Sequence, residues 1–123
     1  MVLSGKGMKL EFARRDEVVL EPLKPFSFSG EAEIAGTLLG EPVQDFNLIV
    51  REEFGRGDLR VMEFAAGEKA GFGGGPRFFY LLEGSCSFGK DVMHPHDSFW
   101  LDRGESISIP NGIKAVVGTL TLR

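Results

Sequence analysis

Arg77 has the most informative chemical setting in this sequence. It opens Arg77-Phe-Phe-Tyr-Leu-Leu82, an otherwise apolar run that reads as a buried strand. Period-two alternation puts Arg77 on one face with Phe79 and Leu81. A guanidinium on an inward face suits bidentate contact with a carboxylate. The plainer reading is an arginine at an edge or mouth, paired with one of the eighteen acidic residues. Asp45-Phe-Asn47 is a second candidate, because Asn47 offers both a donor and an acceptor. Asx residues at a strand start also satisfy turn backbone, with Phe46 left to pack in the core. Tyr80 and Trp100 could wall a pocket with rings that end in a polar tip, a composition that core packing uses equally.

His94-Pro-His96 is the one close histidine pair. In a strand, residues i and i+2 face one side and such pairs hold zinc or copper. Asp91 and Asp97 add oxygen donors nearby. Pro95 and its flanks indicate a loop, and no third nitrogen or sulfur ligand is evident, which favours a surface turn. Gly71 to Gly75 could cradle an anion with backbone N–H groups. It lacks the Lys-Ser/Thr and helix of a phosphate-binding loop, so nucleotide is not expected there. Cys86 has no recognisably spaced histidine and reads as a buried structural thiol. No serine triad motif, glycosidase carboxylate pair or His-Glu-x-x-His stands in the sequence.

These residues belong to a chain of 123 residues with a net charge of −4, which argues against nucleic acid as the main partner. No run approaches the ~20 apolar residues of a membrane-spanning helix. The N-terminal residues Met1 to Gly7 show no secretory h-region. A single cysteine suits a reducing compartment, so a cytoplasmic location is expected.

Seventeen glycines and six prolines punctuate short apolar runs along the whole length, the pattern of an all-β protein. Strands are expected at Met8 to Phe12, Val18 to Leu20, Pro25 to Ser29, Glu31 to Leu39 and Phe46 to Val50. Further strands are expected at Leu59 to Phe64, Arg77 to Leu82, Ser85 to Phe88, Ser98 to Leu101, Ser106 to Ile109 and Ala115 to Leu122. Gly55-Arg-Gly-Asp58 reads as a turn. No window of eleven or more residues carries a helical period.

Gly104, Pro110 and Gly112 match the turn residues of the second cupin motif, Gly-x5-Pro-x-Gly-x2-His, with Ala115 at the histidine position. Tyr80-Leu-Leu-Glu-Gly84 is similar to the end of the first cupin motif. That register puts Arg77 at the motif's glutamate position and Gly71 to Gly75 at its His-x-His. The resemblance implies a double-stranded β-helix, or jelly roll, whose usual metal ligands are replaced. An arginine there repels a divalent cation and attracts an anion.

Phe26-Ser-Phe-Ser-Gly-Glu31, Thr37-Leu-Leu-Gly40 and Asp45-Phe-Asn-Leu-Ile49 resemble the HutD/Ves family of bicupins. The resemblance covers roughly Leu3 to the C-terminus. Family members begin with a segment carrying a Trp-Lys-Asn-Gly-Gly-Gly-type motif that this sequence lacks. It therefore implies a partial first cupin-like half over 1–54 and a second cupin-like barrel over 55–123. A partial barrel exposes sheet edges, so a homodimer or higher oligomer is expected. The family link to histidine utilisation implies a non-catalytic, ligand-sensing protein that binds a small carboxylate without a cofactor. Asp45, Phe46, Asn47, Arg77, Tyr80 and Trp100 would then form the binding set. The alternatives are a metal-dependent oxygenase or isomerase using His94 and His96, and a ligand-free interaction protein whose barrel is filled by its eleven phenylalanines.

Overall fold

The computed structural model describes residues 1–14, 16–71, 76–102 and 104–123. The chain is all-β, with no helix among these residues. It divides into two compact units, Met1–Ile49 and Val50–Arg123.

The first unit contains β1 (Val2–Ser4), β2 (Met8–Phe12), β3 (Glu17–Leu20), β4 (Ile34–Leu38) and β5 (Gln44–Asp45). Its sheet runs β3-β2-β4, all antiparallel, and β1 pairs with β5. Alternation in Met8-Lys-Leu-Glu-Phe12 builds the core. Leu10 is buried with Val2 and Leu20, while Met8, Phe12, Val18, Ile34 and Val43 pack around them. The opposite face is charged, with Lys9 Nζ 2.6 Å from Glu11 Oε1 and 3.9 Å from Glu17 Oε1.

Two expected strands are absent from this unit. Pro25 to Ser29 joins no ladder. Its alternating phenylalanines instead turn onto Phe12, with Phe26 and Phe28 ring centroids 6.3 and 6.2 Å from the Phe12 ring. The pattern looks strand-like because two rings share one anchor. Phe46 to Val50 forms no ladder either, because β5 stops at Asp45. Asn47 Nδ2 there donates to Asp45 Oδ2 at 2.9 Å.

The second unit contains β6 (Gly55–Phe64), β7 (Lys69–Gly71), β8 (Arg77–Glu83), β9 (Cys86–Phe88), β10 (Asp91–Met93), β11 (Ser98–Leu101), β12 (Ser106–Ser108) and β13 (Ile113–Leu122). They form two antiparallel four-stranded sheets, ordered β11-β8-β13-β6 and β10-β9-β12-β7. The pairing is nested. β9 pairs with β10, β8 with β11, β7 with β12, and β6 with β13. A long hairpin rolled up on itself has this order, which is the jelly roll.

Inward residues of both sheets make one core. Phe79, Leu81, Phe99, Leu101, Ile107, Ile109, Ile113, Ala115 and Val117 are all buried within it. Phe99 is sandwiched by two rings, with Phe79 at 5.2 Å and Phe88 at 5.9 Å, both nearly parallel.

The expected turn at Gly55 to Asp58 is the start of β6. Gly55 has φ 149°, and a Cβ there would collide with the Thr121 carbonyl. This glycine serves a close approach of β6 to β13 (Gly55 opposite Leu122) rather than a chain reversal.

At the other end of β13, Gly84 has φ 86°, and a Cβ on it would stand 2.6 Å from the Gly112 carbonyl oxygen. Gly84, which ends the first cupin-like motif, thus lies back to back with Gly112 of the second. Gly84→Ala combines a left-handed backbone with this collision and should cost ~2–4 kcal/mol. Gly89 (φ 60°) has nothing within 4 Å of its Cβ position. Gly89→Ala should cost about 1 kcal/mol. Thermal denaturation followed by circular dichroism checks the pair, and equal losses would remove the Gly112 contact as the reason.

Candidate functional site

Arg77 is the first residue of β8, opposite Leu101 of β11 and Thr119 of β13, and Thr119 in turn lies opposite Asp58 of β6. Asp58, Thr119, Arg77 and Leu101 therefore form one row across the sheet. Alternation fixes which way the row faces. Phe79 and Leu81 share Arg77's side of β8, and Ala115 and Val117 share Thr119's side of β13. All four are core residues. The row thus lies on the core-facing side, at the end of the roll opposite the Gly84–Gly112 contact.

Arg77 is half-buried there, and its Nη1 donates to Thr119 Oγ1 at 2.9 Å. Asp58 Oδ2 accepts from Arg60 Nε at 2.8 Å. With strands about 4.8 Å apart, the Asp58 and Arg77 backbones are separated by about 10 Å. A planar, permanently charged group oriented by a hydroxyl at the rim of an apolar interior is suited to a small carboxylate. Thr119, Asp58 and Arg60 escape the sequence reading. The alternation of Ala115 and Val117 points Thr119 inward, but only the pairing register puts it beside Arg77.

Tyr80 and Trp100 occupy the outward face of the same sheet. Trp100 lies opposite Phe78, ring centroids 5.1 Å apart, and is 49% exposed. Tyr80 Oη is 2.8 Å from His96 Nδ1. The structure therefore does not bring Tyr80 and Trp100 to Arg77's side. Asp45, Phe46 and Asn47 belong to the first unit. Asp45 and Asn47 are exposed and bonded to each other, and the Phe46 backbone pairs with Met1 through N–H and C=O at 2.7 and 2.8 Å.

His94 and His96 stand in the turn between β10 and β11. The His94 N–H donates to Asp97 Oδ2 at 2.9 Å, and the His96 N–H donates to the Leu81 carbonyl at 2.7 Å. His96 adopts φ 75°, so the two rings do not share a strand face. Of the glycine-rich stretch Gly71 to Gly75, weighed above as an anion cradle, residues 72–75 lie outside the described residues.

The cupin fold implies a divalent metal, and the donor set here does not fit one. In the register that the sequence resemblance implies, Arg77 stands at the carboxylate position. Ala115, at the histidine position, is fully buried opposite Met62 and Leu81 and supplies only a methyl group. Among the described residues, no group of three or more His, Cys, Asp or Glu side chains could hold a metal ion.

A groove of about 470 Å³ lies at the Gly112 end, lined by Glu63, Glu68, Glu83 and Lys114 around Phe64 and Ile113. Lys114 is opposite Glu63 on one side and Glu83 on the other, so both its cross-strand neighbours are acidic. No helix among the described residues is long and apolar enough to cross a membrane.

The rolled sandwich, its glycine-closed turns and the arginine at its rim define a cupin-like protein. The chain belongs to the HutD family, whose model matches residues 1–117. It is 44% identical over 48 residues to an uncharacterised 21.2 kDa protein in the hutC 3′ region of Pseudomonas putida. That match covers 39% of this chain and a quarter (25%) of the relative's length. A conserved protein of unknown function from Pseudomonas aeruginosa PAO1, PA5104, shares the fold with a TM-score of 0.77 at 20% identity, over 99% of this chain and 70% of that one. HutD from Pseudomonas fluorescens SBW25 does so with a TM-score of 0.73 at 22% identity, over 100% of this chain and 66% of that one.

Cys86 is free and buried in the roll, and burial pushes its thiol pKa up. The folded state favours the neutral thiol. This contribution to stability is complete below the ordinary thiol pKa and is lost as pH rises through the raised value. Native protein at about pH 8 should therefore react with a disulfide reagent at least ~100-fold more slowly than urea-unfolded protein. Comparable rates would place Cys86 at the surface.

Proposed function

We propose that this HutD-family protein is a non-catalytic, cytoplasmic binding protein for a small organic carboxylate, with a ligand-sensing role in histidine utilisation. The observation that carries the reading is Arg77. Its guanidinium sits on the core-facing side at the rim of the roll and is oriented by Thr119 Oγ1 at 2.9 Å. A carboxylate arriving from solvent meets a fixed, charged, planar donor group there. The histidine-utilisation context draws on the P. putida relative, which is described by its position beside hutC, and on the family itself. The P. fluorescens HutD structure was determined in a formate condition, which makes formate a convenient first probe.

Replacing the metal ligands alters what the interior can hold. A cupin metal accepts electron pairs from substrate oxygens, whereas Arg77 offers protons in hydrogen bonds and one delocalised positive charge. The second acts on an anion without needing the substrate to react.

Calorimetric titration with formate and with longer monocarboxylates tests this reading. Arg77→Ala should weaken binding by about ten- to a hundredfold, the range for losing a charged hydrogen-bonding partner. Arg77→Lys should recover part of that loss, since an ammonium keeps the charge but not the fork. Thr119→Val should weaken binding less than Arg77→Ala by freeing the guanidinium. Unchanged affinity in Arg77→Ala, with the fold intact by circular dichroism, would remove Arg77 from the site.

A further inference from the structure

Strand β4 ends the sheet β3-β2-β4, so among the described residues one of its edges carries no ladder. An exposed edge offers a row of backbone donors and acceptors to another strand. Proteins usually blunt it with charge, proline, a bulge or shortness. The other edge strands here have such devices. Glu17 stands in β3 and Asp91 in β10, β7 is only three residues long, and β6 carries Asp58 and Arg60 on its core-facing side. β11 has four residues bracketed by Asp97 and Asp102. β1 has a register break, and its partner β5 has two residues. β4 is Ile34-Ala-Gly-Thr-Leu38, with no charge, no proline and unbroken register against β2. Its last four residues are exposed, Leu38 at 47%.

The direction of its backbone groups follows from two hydrogen bonds. The Leu39 N–H donates to the Gly7 carbonyl and the Glu33 carbonyl accepts from the Ala13 N–H. Residues 33 and 39 thus point toward β2, and so do 35 and 37 by alternation. Ile34, Gly36 and Leu38 point their N–H and C=O groups to the open edge.

We propose that β4 is a homodimerisation edge, pairing antiparallel with β4 of a second copy about a twofold axis at Gly36. In that register Gly36 faces Gly36 of the other copy, and Ile34 faces Leu38. All three outward-pointing residues then exchange hydrogen bonds, and Leu38 gains cover. Charge at the ends of the strand selects this partner. Glu33 precedes β4 and is exposed, and in the twofold register it lies opposite Leu39 of the other copy. Beside that position is Gly40, over which Lys6 extends, its Nζ 4.0 Å from the Gly40 Cβ position. Glu33 and Lys6 are in no ion pair among the described residues. The symmetry brings the carboxylate of each copy to the ammonium of the other, once at each end.

Sedimentation velocity over a concentration series tests the proposal. A short strand pair with two exposed ion pairs should give a weak dimer, with a dissociation constant in the micromolar range. Glu33→Lys and Lys6→Glu should each weaken association about five- to tenfold, and the double swap should restore it to within about twofold. Gly36→Pro removes an outward N–H without touching the β2 ladder and should leave a monomer, its fold checked by circular dichroism. If Gly36→Pro fails to fold, the charge-swap set still decides. Monomers at every concentration would overturn the proposal. A dimer insensitive to the charge variants, or one in which the double swap fails to restore association, would overturn it as well.

Discussion

The second unit depends on the contact between Gly84 and Gly112. β13 can lie beside β8 there only because Gly84 presents no side chain to the Gly112 carbonyl oxygen. The next pair is Lys114 with Glu83. The register then slips by one residue, so that Ala115 faces Leu81. Every later pair inherits that slip, down to Thr119 beside Arg77. The hydroxyl that orients the guanidinium is thus set by a backbone contact at the far end of the roll. A one-residue shift would turn Thr119 outward and leave Arg77 opposite Gly118 or Leu120, neither of which carries a hydroxyl.

Alternation and glycine chemistry show how far a single sequence reaches. Leu59 to Phe64 is legible as a strand because its side chains alternate, and Arg77 to Leu82 because it is a short, continuous apolar run. That run reads as buried on both sides, whereas β8 buries Phe79 and Leu81 and leaves Phe78, Tyr80 and Leu82 half-buried. Arg77's inward direction is legible by alternation, through Phe79 and Leu81. That Tyr80 points the other way follows from its odd spacing to Arg77. The pairing of β13 with both β6 and β8 is not legible, since it joins segments dozens of residues apart, so Thr119 and Asp58 stay hidden. Gly55 misleads because glycine marks tight turns and close backbone approaches alike. Phe26 and Phe28 mislead because two rings gathered on Phe12 have a strand's spacing.

Charge is sorted by position in this unit. The core-facing rim carries Arg77 and the Asp58–Arg60 pair, whereas the Gly112 end carries Lys114 between two glutamates. Lys114 has an acidic residue on either side in its own row. At the rim, the row places the carboxylate and the Arg77 guanidinium two strands apart, with a neutral hydroxyl between them. In the register implied by the resemblance, this chain has Arg77 and the methyl of Ala115 where a metal-binding cupin keeps a carboxylate and a histidine.

The nested pairing has a consequence for how the polypeptide reaches this state. β6 and β13 are the first and last strands of the roll, yet they lie side by side, and β13 also separates β6 from β8. The sheet cannot close until its last strand has been made and inserted between two that were made much earlier. Loops of this size are entropically slow to close, so folding of the second unit is governed by long-range search. During that search the inward faces of β6 and β8, with Phe64, Phe79 and Leu81, have no cover from β13. Synthesis therefore passes through a stage in which the roll, lacking its last strand, presents an open, sticky sheet, the kind of species that molecular chaperones hold.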